Sequence, residues 1–224
     1  GTFPGDLGIE LTEITDERTQ LSTVTSQLTV AANVVNNNAA ATIATIYSGT
    51  DATHNYKAYE AAVQSEIEGA SSFAGLTDTH NTSDAAKAFR ADYASLTSTV
   101  TDANAQEGTI ATNTNDNAML QSAINAAIAD IAAHPDADHT ADQAIVSTDL
   151  PLINSHNGNI ASASVTLNGD LASIDSLLSN LATAALSTAQ VNALNLPAAD
   201  ANTPAGNLQA AILGKAAQRI PAPR

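Results

Sequence analysis

The chain has 224 residues, which is enough for one large domain or two small ones, and contains no cysteine. Disulfides, thiolate nucleophiles and cysteine-based metal sites are therefore excluded. The net charge is −16, and no Lys or Arg occurs from Ala91 to Gly214. Because nucleic acids and anionic membrane surfaces are bound by clustered basic side chains, we expect neither as a partner. No stretch reaches the about 18 apolar residues of a membrane-spanning helix, so we expect no membrane insertion.

The core must be built largely from small side chains. Ala, Thr, Asn and Ser together make up 111 of the 224 residues, and there are only seven aromatic residues. Small side chains bury little area each, so stability has to come from long continuous interfaces rather than from a few large anchors. This composition favours long packed helices.

The first predicted helix runs from Leu11 to Ile46. Steps of three and four residues along it define a seam, which is the stripe of positions that would face a neighbouring helix. Eight of its eleven positions are apolar. The turn-forming cluster 48–51 ends it. A second segment, Asp51 to Phe73, places Tyr56, Tyr59, Val63 and Ile67 on one face, and we expect residues 51–93 to cap one end of the bundle.

The third predicted helix follows the loop 76–83, where Ser83 and Asp84 form its cap. Its seam runs from Phe89 to Ile131 at spacings of three and four. Gly108 and the polar run 113–117 weaken the middle of this seam, and a kink, a loop or a change of partner near 104–118 is as compatible with the sequence as an unbroken helix.

The fourth long segment carries the most regular repeat. The pair His134-Pro135 ends the third helix, a short helix is predicted over Ala141–Thr148, and Pro151 begins the next. Apolar residues then recur at seven-residue steps, and Leu171, Leu178 and Ala185 each lie four residues after a member of this series. The members of this heptad series are Ile153, Ile160, Leu167, Ile174 and Leu181. The Asn-Gly pairs at 157 and 168 are the points where it could be interrupted.

These elements predict an all-α fold: an elongated, antiparallel, coiled-coil-like bundle of three to four long helices with short connecting helices. The bundle covers residues 1–196. Residues 197–224 form a Pro- and Ala-rich segment with one short helix, from Pro204 to Ala217, and a tail.

Polar residues also fall on the predicted seams. In coiled coils such residues set register and partner number. We assign this role to the threonines only, since a slip of register explains the other residues equally well. The seven positions are Arg18, Thr25, Thr42, Glu107, Thr114, Asn117 and Asn157.

The connector after the third helix is the main candidate for metal chemistry. His134, Asp136, Asp138 and His139 offer two imidazoles and two carboxylates, with Asp142 next, and could hold a divalent cation. Their spacing matches neither the H-E-x-x-H pair nor the calcium-binding loop. A polar interhelical connector explains the same residues, so the sequence assigns no metal, cofactor or catalytic residue, and we expect a protein that is not an enzyme.

Composition and long heptads are typical of self-assembling exterior proteins. We therefore expect a structural subunit of an extracellular filament, surface layer or virion, with copies of itself, or another surface or virion protein, as partners. The start at Gly1 without an initiator Met fits export. The alternative is a secreted binding module with an apolar ligand or a partner protein, and its predicted pocket is Tyr56, Tyr59, Phe73, Phe89 and Tyr93. An enzyme would require a metal in the 134–139 connector.

Overall fold

The computed structural model describes residues 18–19, 47–48, 56–134 and 137–193. Throughout these ranges the regular structure is helical, without a strand. Five helices have defined limits: α1 Tyr56–Gly69, α2 Phe73–Thr77, α3 Asp84–Ala133, α4 Thr140–Ala185 and α5 Thr188–Asn192. The long helices α3 and α4 pack against each other as a hairpin, so the predicted all-α bundle class is confirmed.

Two predicted elements fall where the structure gives no description. Of the first helix, Leu11 to Ile46, only Arg18 and Thr19 are described, and both are helical. The C-terminal segment 197–224 lies wholly outside the described residues. Its separation from the bundle remains a prediction.

The chain divides into two compact units, and each contains part of α3 and part of α4. We call the first the tip unit; it contains residues 112–133 of α3 and 140–161 of α4. We call the second the three-helix unit after its longer helices α1, α3 and α4; it also contains the short helices α2 and α5. In the tip unit α3 and α4 are antiparallel, because Asn113 pairs with Asn159 and Asn117 with Asn157.

Helix α3 is capped as predicted and then runs unbroken for 50 residues. Ser83 Oγ accepts a hydrogen bond of 3.2 Å from the backbone N–H of Ala86, which satisfies a free donor of the first turn. No break occurs near 104–118. Every seventh residue is buried through that region, and this continuous contact offsets the weak propensity of Gly108 and the Asn-rich run. The series is Leu96, Ala103, Ile110, Asn117 and Ile124.

Helix α4 corrects one prediction. The expected short helix Ala141–Thr148 and the new start at Pro151 are wrong, because α4 is continuous from Thr140 to Ala185 and contains Pro151. A proline in a helix interior costs about 3 kcal/mol, whereas each buried Ile or Leu contributes about 1.5–3 kcal/mol. All five residues of the heptad series from Ile153 to Leu181 are at most 1% exposed, so the packing of the long segment that follows the proline outweighs its cost.

Helix α1 buries the predicted face, with Tyr56, Tyr59, Val63 and Ile67 all at most 1% exposed. It ends at Gly69 rather than continuing to Phe73, which instead begins the short helix α2.

A single guanidinium fastens the turn that links α2 to α3. Arg90 donates to the backbone carbonyls of Leu76, Asp78 and Asn81, at distances of 3.3, 2.6 and 3.0 Å. These bonds hold the 78–83 turn against α3.

Candidate functional site

The connector between α3 and α4 uses its polar residues in different ways. Asp138 forms a turn just before α4, since its Oδ1 accepts from the backbone N–H and the hydroxyl of Thr140 at 3.0 and 2.6 Å. These hydrogen bonds lower the pKa of Asp138. Asp136 lies outside the described residues. His134 lies beside Asp130, with Nδ1 3.1 Å from Oδ1, and both side chains are largely exposed. The four sequence candidates therefore do not form one ligand set in the described residues.

His139 is the more buried of the two histidines in the connector. Its ring is only 9% exposed, and Nε2 donates to the backbone carbonyl of His134 at 2.7 Å. Nδ1 lies 3.1 Å from Oδ2 of Asp142, one turn into α4. The hydrogen bonds to Asp142 and to the His134 carbonyl raise the pKa of His139.

Asp130, from the last turn of α3, completes a cluster that the sequence candidates missed. One ligand atom each from Asp130, His139 and Asp142 lies within 4.8 Å of the other two. We call these three residues the connector triad. An imidazole with two carboxylates is a donor set that suits borderline divalent ions. Asp130 could not be found from local spacing, because it belongs to the preceding helix and reaches His139 only through the turn of the chain.

A buried polar layer joins the two helices of the tip unit. Asn117 Nδ2 donates to Asn157 Oδ1 at 2.9 Å, and the two residues are 1% and 9% exposed. His156 Nδ1 lies 3.1 Å from Asn117 Oδ1, which ties a third polar side chain to the layer. A paired buried asparagine at a seam position specifies register.

This asparagine layer corrects the assignment of the register role to threonines alone. Thr114 is the one seam threonine that lies within the described residues. Its hydroxyl is buried without a hydrogen-bond partner. Thr25 and Thr42 lie outside the described residues. Glu107, another polar seam position, pairs instead with Lys57 of α1 at 2.5 Å.

The predicted aromatic pocket is divided between two sets of ring contacts. Phe73, Phe89 and Tyr93 pack on one another, with ring centroids 5.6 to 6.3 Å apart. Tyr56 lies against Tyr47 at 6.2 Å, and both are fully buried. Such rings fill space in the core of the three-helix unit. Of the five predicted pocket residues, Tyr56, Tyr59 and Phe89 are buried, whereas Phe73 and Tyr93 are half-buried.

Tyr56 also links α1 to α4 through a polar contact. Its hydroxyl donates to Asp175 Oδ1 at 2.5 Å and lies 3.3 Å from the carbonyl of Leu171. Burial raises the pKa of Asp175 to about 6, although the bond from Tyr56 partly opposes this shift. Burial and the charge of Asp175 raise the pKa of Tyr56 as well.

The basic side chain of Lys57 contacts both the Tyr47 ring and Glu107 of α3. Lys57 Nζ lies 4.6 Å from the centre of the Tyr47 ring while it pairs with Glu107, and the Tyr47 hydroxyl donates to Asn104 at 3.3 Å. Burial raises the pKa of Glu60, and the charge of Lys57 opposes that effect. These contacts fasten α1 to α3.

Among the described helices, none is both long enough and apolar enough to span a membrane. Comparison of the chain with family models, curated proteins and solved structures found no match.

Proposed function

We propose that this protein is a non-enzymatic structural subunit that assembles with copies of itself, in an extracellular filament, a surface layer or a virus particle. The assembling surface would be the outer face of α4 in the tip unit. Localisation outside the cell belongs to the same proposal.

The observation that carries the proposal is a pair of exposed apolar side chains at heptad spacing. Ile145 and Leu152 are 38% and 45% exposed and lie seven residues apart on α4, so they share one face. They directly precede Val146, which is half-buried, and Ile153, which is buried. A second apolar stripe beside a buried seam is the pattern by which one helix contacts two neighbours.

The negative charge of the chain permits association with a second copy only when the repulsion between the copies is screened. The chain carries −16, and no Lys or Arg lies between Ala91 and Gly214. Two such surfaces repel at low ionic strength. At about 1 M salt the Debye length falls to about 3 Å, and the apolar contact then dominates. The proposal therefore includes assembly that increases with salt.

The test is the mass distribution of the full chain, measured by light scattering and electron microscopy as concentration and salt are raised. We expect oligomers or filaments that grow with both. The double variant Ile145→Gln with Leu152→Gln should remain monomeric under the same conditions. Val165→Gln is the matched control, since Val165 is 75% exposed but lies in the three-helix unit. A wild-type chain that stays monomeric at high concentration and high salt would refute the proposal.

A further inference from the structure

We propose that the connector triad, Asp130, His139 and Asp142, binds one divalent transition-metal ion, with Zn²⁺ as the reference occupant. The ligand atoms are Nδ1 of His139 and one carboxylate oxygen from each aspartate. This inference does not depend on the proposed assembly.

The orientation of the His139 ring is the first argument. A backbone carbonyl can only accept, so the 2.7 Å contact from Nε2 to the His134 carbonyl places the ring hydrogen on Nε2. In the neutral ring, Nδ1 is then an acceptor. The Nδ1 atom lies 3.1 Å from another acceptor, Oδ2 of Asp142. The His139 side chain itself is about nine-tenths buried. In the protonated ring a proton lies between these two atoms, and in the neutral ring a metal cation can take that place and bind both of them.

The same hydrogen bond is the usual support of a metal-binding histidine. Such residues donate their second ring N–H to a carbonyl or a carboxylate, which fixes the tautomer and the direction of the free lone pair. Here the His134 carbonyl supplies that support and directs Nδ1 at Asp142. The ring therefore needs no rearrangement before it can bind an ion.

The distances fit a small ion after a modest movement. With metal–ligand bonds of about 2.1 Å, two ligand atoms of a tetrahedral zinc site lie roughly 3.4 Å apart. The His139 to Asp142 separation of 3.1 Å is already near this value, and all three ligand atoms lie within 4.8 Å of one another. Asp130 is exposed, so a rotation of its side chain can close the remaining gap. Calcium is disfavoured because it requires six to eight oxygen ligands.

Local charge also favours a cation. The free carbonyls at the C-terminus of α3 carry partial negative charge. No basic residue in the last turn of α3 offsets that charge. Asp130 adds a full negative charge there, and Asp142 adds another across the turn. A divalent ion neutralises both and joins the end of α3 to the start of α4.

The test is a calorimetric titration of the full chain with Zn²⁺ alone at neutral pH. We expect one ion per chain, with at least tenfold weaker binding in Asp142→Asn and loss of the site in His139→Gln. His80→Gln is the matched control: His80 also pairs with a carboxylate, Asp78 at 3.0 Å, but it is exposed and outside the triad. Its binding should equal that of the wild type. Circular dichroism checks that every variant is folded.

A second readout does not depend on the variants folding. In long-range proton–nitrogen spectra of the wild type, Zn²⁺ should shift Nδ1 of His139 and leave the His80 ring unchanged. The proposal is overturned if the His139 resonances do not respond to Zn²⁺, which would mean that the ring is held by a proton alone. It is equally overturned if His139→Gln and His80→Gln bind zinc alike, since the ion would then be distributed over the acidic surface.

Discussion

The contact between Tyr56 and Asp175 leads to a prediction about pH. In the folded protein the pKa of Asp175 is about 6, against 3.8 for an ordinary aspartate, because the carboxyl group is partly buried. The native state therefore holds the Asp175 proton more tightly than the unfolded chain does. The contribution of Asp175 to stability is greatest below about pH 4 and declines as pH rises through 6.

The magnitude follows from the size of the pKa difference. Two pKa units correspond to about 3 kcal/mol, which we reduce to about 1–2 kcal/mol because solvent reaches part of the carboxyl group. Asp175→Asn keeps an oxygen that accepts the Tyr56 hydroxyl and removes the ionisation. We expect this variant to exceed the wild type in free energy of unfolding by about 1–2 kcal/mol at pH 7 and to equal it near pH 4.

Urea denaturation followed by circular dichroism from pH 4 to 7 measures this difference. Glu66→Gln is the control, since Glu66 is exposed on α1 and its replacement causes the same change of net charge. The difference between Asp175→Asn and the wild type should increase with pH, whereas the control difference should stay flat. A constant difference for Asp175→Asn, or a less stable variant at pH 7, would refute the role of burial.

Two further predictions concern buried polar groups. Asn117→Leu should lower the free energy of unfolding by about 1–3 kcal/mol, because Asn157 Oδ1 loses the donor Asn117 Nδ2. In urea denaturation the double variant with Asn157→Leu should recover most of that loss. Equal losses in the single and double variants would contradict the pairing. Tyr59→Phe should leave the midpoint of thermal unfolding unchanged or raise it, since the buried Tyr59 hydroxyl has no hydrogen-bond partner in the described structure. A fall in the midpoint equivalent to more than about 1 kcal/mol of unfolding free energy would mean that the hydroxyl is hydrogen-bonded.

Helix periodicity was the part of the fold that the sequence specified best. The α4 heptad from Ile153 to Leu181 was predicted from spacing alone, and every member is buried. The end of α3 at Ala133 was also predicted, from Pro135. The error at Pro151, and the question that the sequence left open at 113–117, arose where a local signal competed with packing. Pro151 and the 113–117 run are poor helix formers, but both lie within helices whose apolar residues continue on either side.

Contacts between helices were the part that the sequence could not supply. Asp130 meets His139 and Asp142 only because α4 turns back beside α3, and Lys57 meets Glu107 across fifty positions of sequence. Side-chain pairing of this kind depends on the relative stagger of two helices. A seven-residue repeat by itself leaves that stagger open, because it matches equally well after a shift of seven.

The asparagine layer removes that ambiguity in the tip unit. If α4 slipped by one heptad along α3, Asn157 would face Ile110 or Ile124 in place of Asn117, and both asparagines would be buried without each other. Each unsatisfied amide costs about 1–3 kcal/mol, so the shifted hairpin is disfavoured by roughly 2–6 kcal/mol, whereas the apolar seam scarcely distinguishes the two registers. The observed stagger is also the one that brings Asp130 to Asp142. The buried pair at 117 and 157 therefore stabilises the stagger in which the connector triad forms.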